Sequence, residues 1–217
     1  MIRSGKNMRK QYSRLYASAE RQEDLQWSRE SIFEPVIRVV ESEPHGKALE
    51  FGCGAAATSI YLASQGWECT GVDFVSKAIR MAESERIRAK VELRLFESDI
   101  LEIELSETFD MILDFGCLHS ISGPDLFRYR KKLHGWLKPS GNYFLIHFGK
   151  RHLFDYSPFG PIRRSKHSVL EIIGQEFELV EFHEERTDNS LLTGPKAIRN
   201  GYWFRKISPF PELIIKI

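Results

Sequence analysis

The chain has 217 residues, with 31 Lys and Arg against 30 Asp and Glu, and 42% of its residues are hydrophobic. These proportions are typical of a globular protein and exclude a disordered or fibrous one. A net charge of +1 offers no basic surplus for a polyphosphate backbone, so we expect no nucleic-acid partner. The three cysteines form no CxxC pair, which argues against a disulfide framework or structural zinc and favours the cytoplasm.

The hydropathy pattern predicts no membrane partner. No run of residues approaches the roughly 18 to 20 apolar residues of a spanning helix. The first residues are basic but are not followed by the apolar run of a signal peptide, so we expect a soluble protein that is not exported. The apolar residues 209–217 leave both a monomer and a homodimer open.

The first 150 residues alternate between short apolar runs and segments of helical period. This alternation is typical of βαβ units and a largely parallel sheet. Two further helices are predicted before the first strand, over residues 8–20 and 31–41. The predicted strands are 47–51, 69–74, 91–98, 109–116 and 142–149, and the helices between them are 57–64, 76–88 and 123–137.

The pattern changes after residue 149. Residues 149–166 are rich in Pro, Gly, Arg and aromatic residues, which favours a loop that overhangs a site. A helix is predicted over 168–175, followed by strands over 177–185 and 197–207. Because no helix separates these two strands, they should pair antiparallel.

The densest signal is a glycine-rich turn between the first strand and the next helix. Gly52 and Gly54 allow the backbone to come close to a ligand, and the helix that follows offers unpaired N–H groups. The pattern Gly52-x-Gly54-x-x-Ala57 also satisfies the dinucleotide fingerprint, with Asp73 located 21 positions after Gly52. The turn alone therefore leaves an NAD(P)-dependent oxidoreductase open.

Glu50 favours a different ligand. An acid two residues before Gly52 would repel the phosphates of a dinucleotide but attract an ammonium or a sulfonium group. The segment Glu50-Phe51-Gly52-Cys53-Gly54 resembles the first motif of the class I, Rossmann-like S-adenosylmethionine-dependent methyltransferases, in which an acid precedes GxGxG. Ala56 stands where this family has a third glycine.

Further segments follow the order of this family. The resemblance implies that Asp73 accepts the ribose hydroxyls, that Asp99 accepts the adenine amino group and that Ile100 packs on the adenine. It also places Gly116 near the sulfonium end of the cofactor. Capping of the next helix is the alternative for Asp73 and Asp99. The candidate residues for binding S-adenosylmethionine are Glu50, Gly52, Cys53, Gly54, Asp73, Phe74, Asp99, Ile100, Gly116 and Trp27.

The expected fold is therefore α/β, with a Rossmann-like seven-stranded, mostly parallel sheet, helices on both faces and a C-terminal antiparallel strand pair. We expect a single methyltransferase domain over 1–217. Within it, 1–45 form a helical cap, 46–150 the cofactor-binding core, and 151–217 the lid loop and the late strands.

Two histidines are the catalytic candidates. His119 follows the fourth strand and His147 ends the fifth, so both should face the crevice at the carboxyl ends of the strands. Methyl transfer requires alignment of the acceptor and, for hydroxyl acceptors, removal of a proton, and an ordinary imidazole pKa suits this task. The alternative is that His119 bonds a backbone carbonyl and that His147 is half-buried against the sheet.

The acceptor is expected to be a small molecule that carries O, S or N. Residues 114–119 and the later Leu-x-Pro-x-Gly turn resemble the thiopurine, halide and thiol methyltransferase subgroup, which implies that Tyr12, Tyr16 and Trp27 close over the cofactor. No residues are spaced as metal ligands, so we expect no metal. Arg163 and Arg164 are interpreted as solvated or as binding a carboxylate of the acceptor. A protein that binds the cofactor without turnover remains an alternative.

Overall fold

The computed structural model describes residues 5–19, 24–25, 32–152, 155, 161–187 and 197–208. Six α-helices and seven strands lie in these ranges, and all seven strands belong to one sheet. The helices are α1 (Gly5–Ser18), α2 (Glu34–Ser42), α3 (Ala57–Ser64), α4 (Ser76–Ala89), α5 (Asp125–Trp136) and α6 (Lys166–Ile173). The strands are β1 (Lys47–Phe51), β2 (Glu68–Asp73), β3 (Leu93–Glu97), β4 (Phe109–Asp114), β5 (Leu137–Gly149), β6 (Phe177–Thr187) and β7 (Ala197–Lys206).

The order of the strands is β3-β2-β1-β4-β5-β7-β6. Neighbouring strands from β3 to β5 are parallel, whereas β7 is antiparallel to both β5 and β6. The predicted fold class is confirmed. The direction of progress through the sheet reverses between β1 and β4, and this is the position where an open α/β sheet forms a ligand crevice beyond the carboxyl ends of its strands.

Helices cover both faces of the sheet because the strand residues alternate between the two faces. On one face, Phe51 and Tyr143 pack with Leu133 of α5 and Val169 of α6. On the other face, the core includes valines of α2, Leu62 of α3 and Ala82 of α4. The central parallel strands are apolar on both faces, as expected for strands that are buried on both sides.

Most element boundaries agree with the sequence prediction, and two differ for local reasons. We predicted β4 to continue to residue 116, but it ends at Asp114 because the carboxylate of Asp114 accepts the N–H groups of residues 116–118 and turns the chain. We predicted β5 from residue 142, but it begins at Leu137, which pairs with Phe109. Ser140 has a φ of 62° within this early part of β5.

Helix α1 packs over the carboxyl ends of the strands. Its residues Tyr12 and Tyr16 join a small apolar cluster with Phe74, Val75 and Ala78, at the start of α4. The predicted helical cap over 1–45 stays a prediction. Several residues singled out in the sequence lie outside the described residues: Trp27, the apolar residues 209–217 and the loop aromatics Phe154, Tyr156 and Phe159.

No helix in the described ranges is long and apolar enough to cross a membrane.

Candidate active site

The glycine-rich turn after β1 has three residues in the left-handed region. These are Gly52, Gly54 and Ala56, with φ values of 65°, 57° and 61°. A side chain at Gly52 would place its Cβ 3.3 Å from Cβ of Cys117, so the turn runs close to the loop after β4. The conformation favours glycine at each position, and Ala56, where the family has glycine, tolerates it at the start of α3.

Glu50 lies at the buried end of β1, beside this turn. Its Oε2 accepts hydrogen bonds from Ser59 of α3, at 3.1 Å from the backbone nitrogen and 2.5 Å from Oγ. Burial, with smaller contributions from the neighbouring Asp73 and Asp114, raises the pKa of Glu50 to about 7, although the hydrogen bonds from Ser59 oppose this shift. A cation beside Glu50 would relieve this cost, because it would favour the ionised form.

Asp73 connects the end of β2 to the glycine turn. One carboxylate oxygen accepts the N–H of Gly54 at 3.0 Å and the other accepts the N–H of Val75 at 2.8 Å. Burial raises the pKa of Asp73 to about 6. Each carboxylate oxygen of Asp73 has a further lone pair. Asp73 can therefore accept hydrogen bonds from ligand hydroxyls while it also holds the N–H groups of Gly54 and Val75.

Three further candidates, Phe74, Asp99 and Ile100, follow the ends of β2 and β3. Phe74 is half-buried and its ring lies edge-on to Tyr12, at 6.3 Å between centroids. Asp99 is also half-buried and accepts the N–H of Leu101 at 3.0 Å, while Ile100 is buried in the core. The alternative that Asp99 caps a helix is wrong, because no helix lies in the described residues between β3 and β4, and the contact with adenine stays a prediction.

Asp114 organises the loop after β4. It is fully buried and accepts the N–H groups of Gly116, Cys117 and Leu118 as well as the hydroxyl of Tyr129. This network fixes the short 3-10 helix Leu118–Ser120, which carries His119. Gly116 has a φ of 146°, and a Cβ there would lie 3.2 Å from Cε1 of His119, so the loop backbone runs directly against this ring.

His119 is buried at the carboxyl edge of the sheet and is 6% exposed. Its Nε2 lies 2.6 Å from the hydroxyl of Tyr12, whereas its Nδ1 is buried without a hydrogen-bond partner. Burial, together with the smaller effect of the charge of Arg164, lowers the pKa of His119 to about 3. The ring is therefore neutral at physiological pH.

His147 lies close to His119, with 6.2 Å between the ring centroids. Its Nδ1 lies 2.9 Å from the carbonyl oxygen of Phe148 and its Nε2 lies 2.8 Å from Nη1 of Arg164. A guanidinium can only donate, so Nε2 accepts and Nδ1 carries the hydrogen. Both nitrogens are engaged, which does not favour His147 as a proton acceptor.

The interpretation of Arg163 and Arg164 as solvated is wrong, and their contact with a carboxylate of the acceptor stays a prediction. Arg164 is buried, and besides His147 its guanidinium donates to the carbonyl oxygens of Leu118 and Ile121, on either side of His119. The side chain of Arg163 is 6% exposed and forms an ion pair with Asp155 at 2.7 Å. The loop after β5 thus supplies buried structural contacts to the site.

The cysteines offer no activated thiol. Cys53 and Cys69 are buried and Cys117 is partly buried. Burial raises the pKa of all three thiols above the ordinary value of a cysteine. Cys53 instead packs beside Gly71, whose Cβ would lie 2.9 Å from the sulfur atom. In the ranges that the structure describes, no group of three or more His, Cys, Asp or Glu residues is arranged to hold a metal ion.

These residues fit S-adenosylmethionine. The crevice beyond β1, β2 and β4 is lined by three buried carboxylates whose pKa values are raised by burial, which suits a ligand with a positive charge and hydroxyl groups. The turn at Gly52 and Gly54 brings backbone without side chains to the same place. Glu50 can pair with the ammonium group and Asp73 with the ribose hydroxyls.

The chain resembles known proteins in sequence and in structure. A family profile described as a methyltransferase domain matches residues 48–141, from β1 to the beginning of β5. A 2-heptyl-1-hydroxyquinolin-4(1H)-one methyltransferase of Mycobacteroides abscessus is 28% identical over 141 residues, which cover 63% of this chain and 59% of that protein. A ubiquinone biosynthesis O-methyltransferase of Pseudomonas putida is 28% identical over 192 residues, covering 82% of this chain and 75% of the relative.

Similarity to a solved structure extends over almost the whole fold. The 1,6-didemethyltoxoflavin-N1-methyltransferase of Burkholderia thailandensis, solved with its substrate and S-adenosylhomocysteine, superposes with a TM-score of 0.71. The match covers 96% of this chain and 92% of the other, at 18% sequence identity. Residues 48–141 match a methyltransferase domain, and the sheet has the topology of the class I, Rossmann-like S-adenosylmethionine-dependent methyltransferases. These similarities favour a methyltransferase over the NAD(P)-dependent alternative.

The sequence analysis missed two contributors to the site. Ser59 holds the carboxylate of Glu50, and the only signal in the sequence is a small polar residue within the apolar helix α3. Arg164 reaches the carbonyl groups on both sides of His119 from a loop 43 to 46 residues further along the chain. No local pattern predicts this contact, because it depends on the path of the loop after β5.

Proposed function

We propose that this protein transfers a methyl group from S-adenosylmethionine to a small-molecule acceptor at the carboxyl edge of β1, β2, β4 and β5. The observation that carries this proposal is that buried acids and a tyrosine–histidine pair lie at the same carboxyl edge of the sheet. Buried acids, Glu50 and Asp73, suit the cationic cofactor, and the pair Tyr12 and His119 lies beyond β4, on the side where an acceptor would enter. S-adenosylmethionine, when bound, supplies an activated methyl group.

We propose cofactor contacts for the residues that the sequence singled out. Glu50 holds the ammonium group, Asp73 the ribose, and Asp99 with Ile100 the adenine. Gly52, Cys53 and Gly54 provide the backbone of the cradle, and Phe74, Gly116 and Trp27 complete its walls. The position of Gly116 against His119 and that of Phe74 against Tyr12 support this assignment for the described residues.

His119 is proposed as the catalytic histidine that contacts the acceptor, and His147 as a positioning residue. The supporting observation for His119 is its unpartnered Nδ1. For His147, Arg164 bonds its Nε2 and also holds the carbonyl groups of Leu118 and Ile121. His147 and Arg164 together fix the 3-10 helix on which His119 lies.

The names of the relatives guide the choice of acceptor. A hydroxyquinolone is methylated by the mycobacterial relative, and O-methylation in ubiquinone biosynthesis is the task of the Pseudomonas one, according to their names. We propose an acceptor of this general kind, a small aromatic or heteroaromatic molecule. We also propose that the chain acts in the cytoplasm, as one domain and as a monomer or homodimer, without nucleic acid.

The activity is tested with purified protein, S-adenosylmethionine and a panel of hydroxyquinolones, phenols, thiols, carboxylates, halides and amines. Release of S-adenosylhomocysteine that depends on the acceptor is expected for at least one oxygen-bearing aromatic member. Binding of S-adenosylhomocysteine by calorimetry is measured in parallel. Tight binding of S-adenosylhomocysteine with no turnover across the panel would contradict the proposed methyl transfer and favour a protein that binds the cofactor without turning it over.

The raised pKa of Glu50 predicts that cofactor binding depends on pH. The pKa of this carboxyl is about 7 in the folded protein, so its ionised fraction rises from about one tenth at pH 6 to about nine tenths at pH 8. Pairing with an ammonium group requires the ionised form. We therefore expect the affinity for S-adenosylhomocysteine to rise about tenfold between pH 6 and pH 8.

The matched variant is Glu50→Gln, which keeps the size of the side chain and removes its titration. We expect this variant to bind more weakly at pH 8 and to lose the pH dependence between pH 7 and pH 8; below pH 7 the pKa of Asp73, about 6, leaves a residual slope. The stability of the free protein changes in the opposite sense. The pKa of Glu50 is raised from 4.5 to about 7 on folding, so the free energy of unfolding falls as the pH rises from about 4.5 to about 7 and levels off above this range. An unchanged affinity profile in Glu50→Gln would contradict the proposed ammonium contact.

A further inference from the structure

The two ring nitrogens of His119 have very different surroundings. Nε2 lies 2.6 Å from the hydroxyl oxygen of Tyr12, whereas Nδ1 is buried and has no partner. A buried polar atom without a partner costs folding free energy and is rare in native proteins. Such an atom beside a ligand crevice indicates that the missing partner belongs to a ligand.

The groups around the ring decide which nitrogen carries the hydrogen. Burial raises the pKa of Tyr12 to about 12, so its phenol keeps its proton and can donate it. Ser120 also lies near this phenol, and His147 and Arg164 also lie near the imidazole. If the Tyr12 hydroxyl donates to Nε2, the hydrogen of the neutral ring resides on Nδ1, and the unpartnered atom is a donor.

Arg164 adds a positive field near the imidazole of His119. Its guanidinium is buried and its hydrogen-bond partners are two carbonyl oxygens and the neutral ring of His147. Among the described residues it forms no ion pair with a carboxylate. A buried cation of this kind opposes protonation of His119 and stabilises a negative charge nearby.

We propose that His119 donates a hydrogen bond through Nδ1 to an oxygen of the methyl acceptor, and that the acceptor is an acidic hydroxyl compound bound as its oxyanion. This inference rests on the proposed methyl transfer and specifies its substrate class. The oxyanion already holds the electron pair for the new O–C bond, the pair of the breaking C–S bond returns to sulfur, and no proton leaves in the step. Nδ1 is shielded from solvent, so the oxygen reaches it with a shift of neighbouring side chains.

Two variants separate a donor at Nδ1 from a base at Nε2. His119→Asn retains an amide nitrogen near the place of Nδ1, whereas His119→Gln retains one near the place of Nε2. With an acidic hydroxyl acceptor, we expect kcat/KM of His119→Asn to stay within roughly threefold of wild type and that of His119→Gln to fall about 10-fold to 100-fold. Activity retained by His119→Gln and lost by His119→Asn would overturn the inference.

The dependence of the wild-type rate on pH gives a second test. Across acceptors of different acidity, the apparent pKa of kcat/KM is expected to follow the hydroxyl group of each acceptor. A constant value near 6.5 for all acceptors would instead show a histidine base and overturn the inference.

The tautomer is measured directly by 15N NMR of the folded protein, which needs no turnover. We expect His119 to be protonated at Nδ1 and not to titrate between pH 5.5 and pH 8, with Tyr12→Phe as the variant that removes the donor to Nε2. Protonation at Nε2, or titration near pH 6.5, would overturn the inference. If the wild type methylates no acceptor, the proposed function fails instead, while the NMR measurement still decides the tautomer.

Discussion

Asp73→Ala should reduce the affinity for S-adenosylhomocysteine by about 100-fold or more. The carboxylate at this position would accept the ribose hydroxyls, and it also holds the N–H groups of Gly54 and Val75. Hydrogen bonds to a charged group contribute about 1.5 to 3 kcal/mol each, and the variant loses at least two from the ligand. Calorimetric titration of the purified variant measures the change.

The matched control is Asp110→Ala. Asp110 is also an aspartate of the sheet, but it lies at the opposite end of β4, where it pairs with Lys138 at 2.8 Å and is about one third exposed. It should bind S-adenosylhomocysteine like the wild type. Binding by a folded Asp73→Ala variant within roughly threefold of wild type would exclude the ribose contact.

Asp114→Ala should lower the free energy of unfolding by about 3 kcal/mol or more. Its carboxylate is fully buried and accepts three backbone N–H groups and the hydroxyl of Tyr129. Each donor left buried without an acceptor costs about 1 to 3 kcal/mol, although the loop can regain some contacts with water. Urea unfolding followed by circular dichroism measures this loss.

Two comparisons test the cause of this destabilisation. Tyr129→Phe removes only the hydroxyl and should cost about 1 kcal/mol, while it retains the loop after β4. Asp110→Ala breaks a partly exposed ion pair on the same strand and should likewise cost about 1 kcal/mol at most. If Asp114→Ala is no less stable than Asp110→Ala, the network around the loop does not hold the 3-10 helix of His119.

The sheet was predictable because each strand is local in the sequence. Apolar runs such as 47–51 and 109–114 are bounded by glycine or acidic turns, and the periodicity of helices such as 57–64 is continuous. Parallel strands joined by helices bring their carboxyl ends to one edge, so the placement of Glu50 and Asp73 at a common crevice follows from connectivity. The resemblance to methyltransferases then names the cofactor.

The path of the loop after β5 was not predictable. Residues 161–164 run beside the 3-10 helix, where the N–H of Ile162 bonds the carbonyl of His119 at 2.8 Å and Arg164 enters the core. Composition suggested solvated arginines, because an arginine without an acidic neighbour is usually exposed. Arg164 is buried because the carbonyl oxygens of Leu118 and Ile121, in the loop after β4, accept its hydrogen bonds.

The amino-acid sequence by itself determined the succession of strands and helices, the cofactor class and the candidate acids, since these depend on local periodicity and on short motifs. Only the tertiary structure decided the state of the histidines. Tyr12 from α1, His147 from β5 and Arg164 from the late loop all meet around His119. Burial and these neighbours keep its ring neutral, which turns the expected base into a hydrogen-bond donor in our proposal, because a pKa depends on surroundings that distant segments supply.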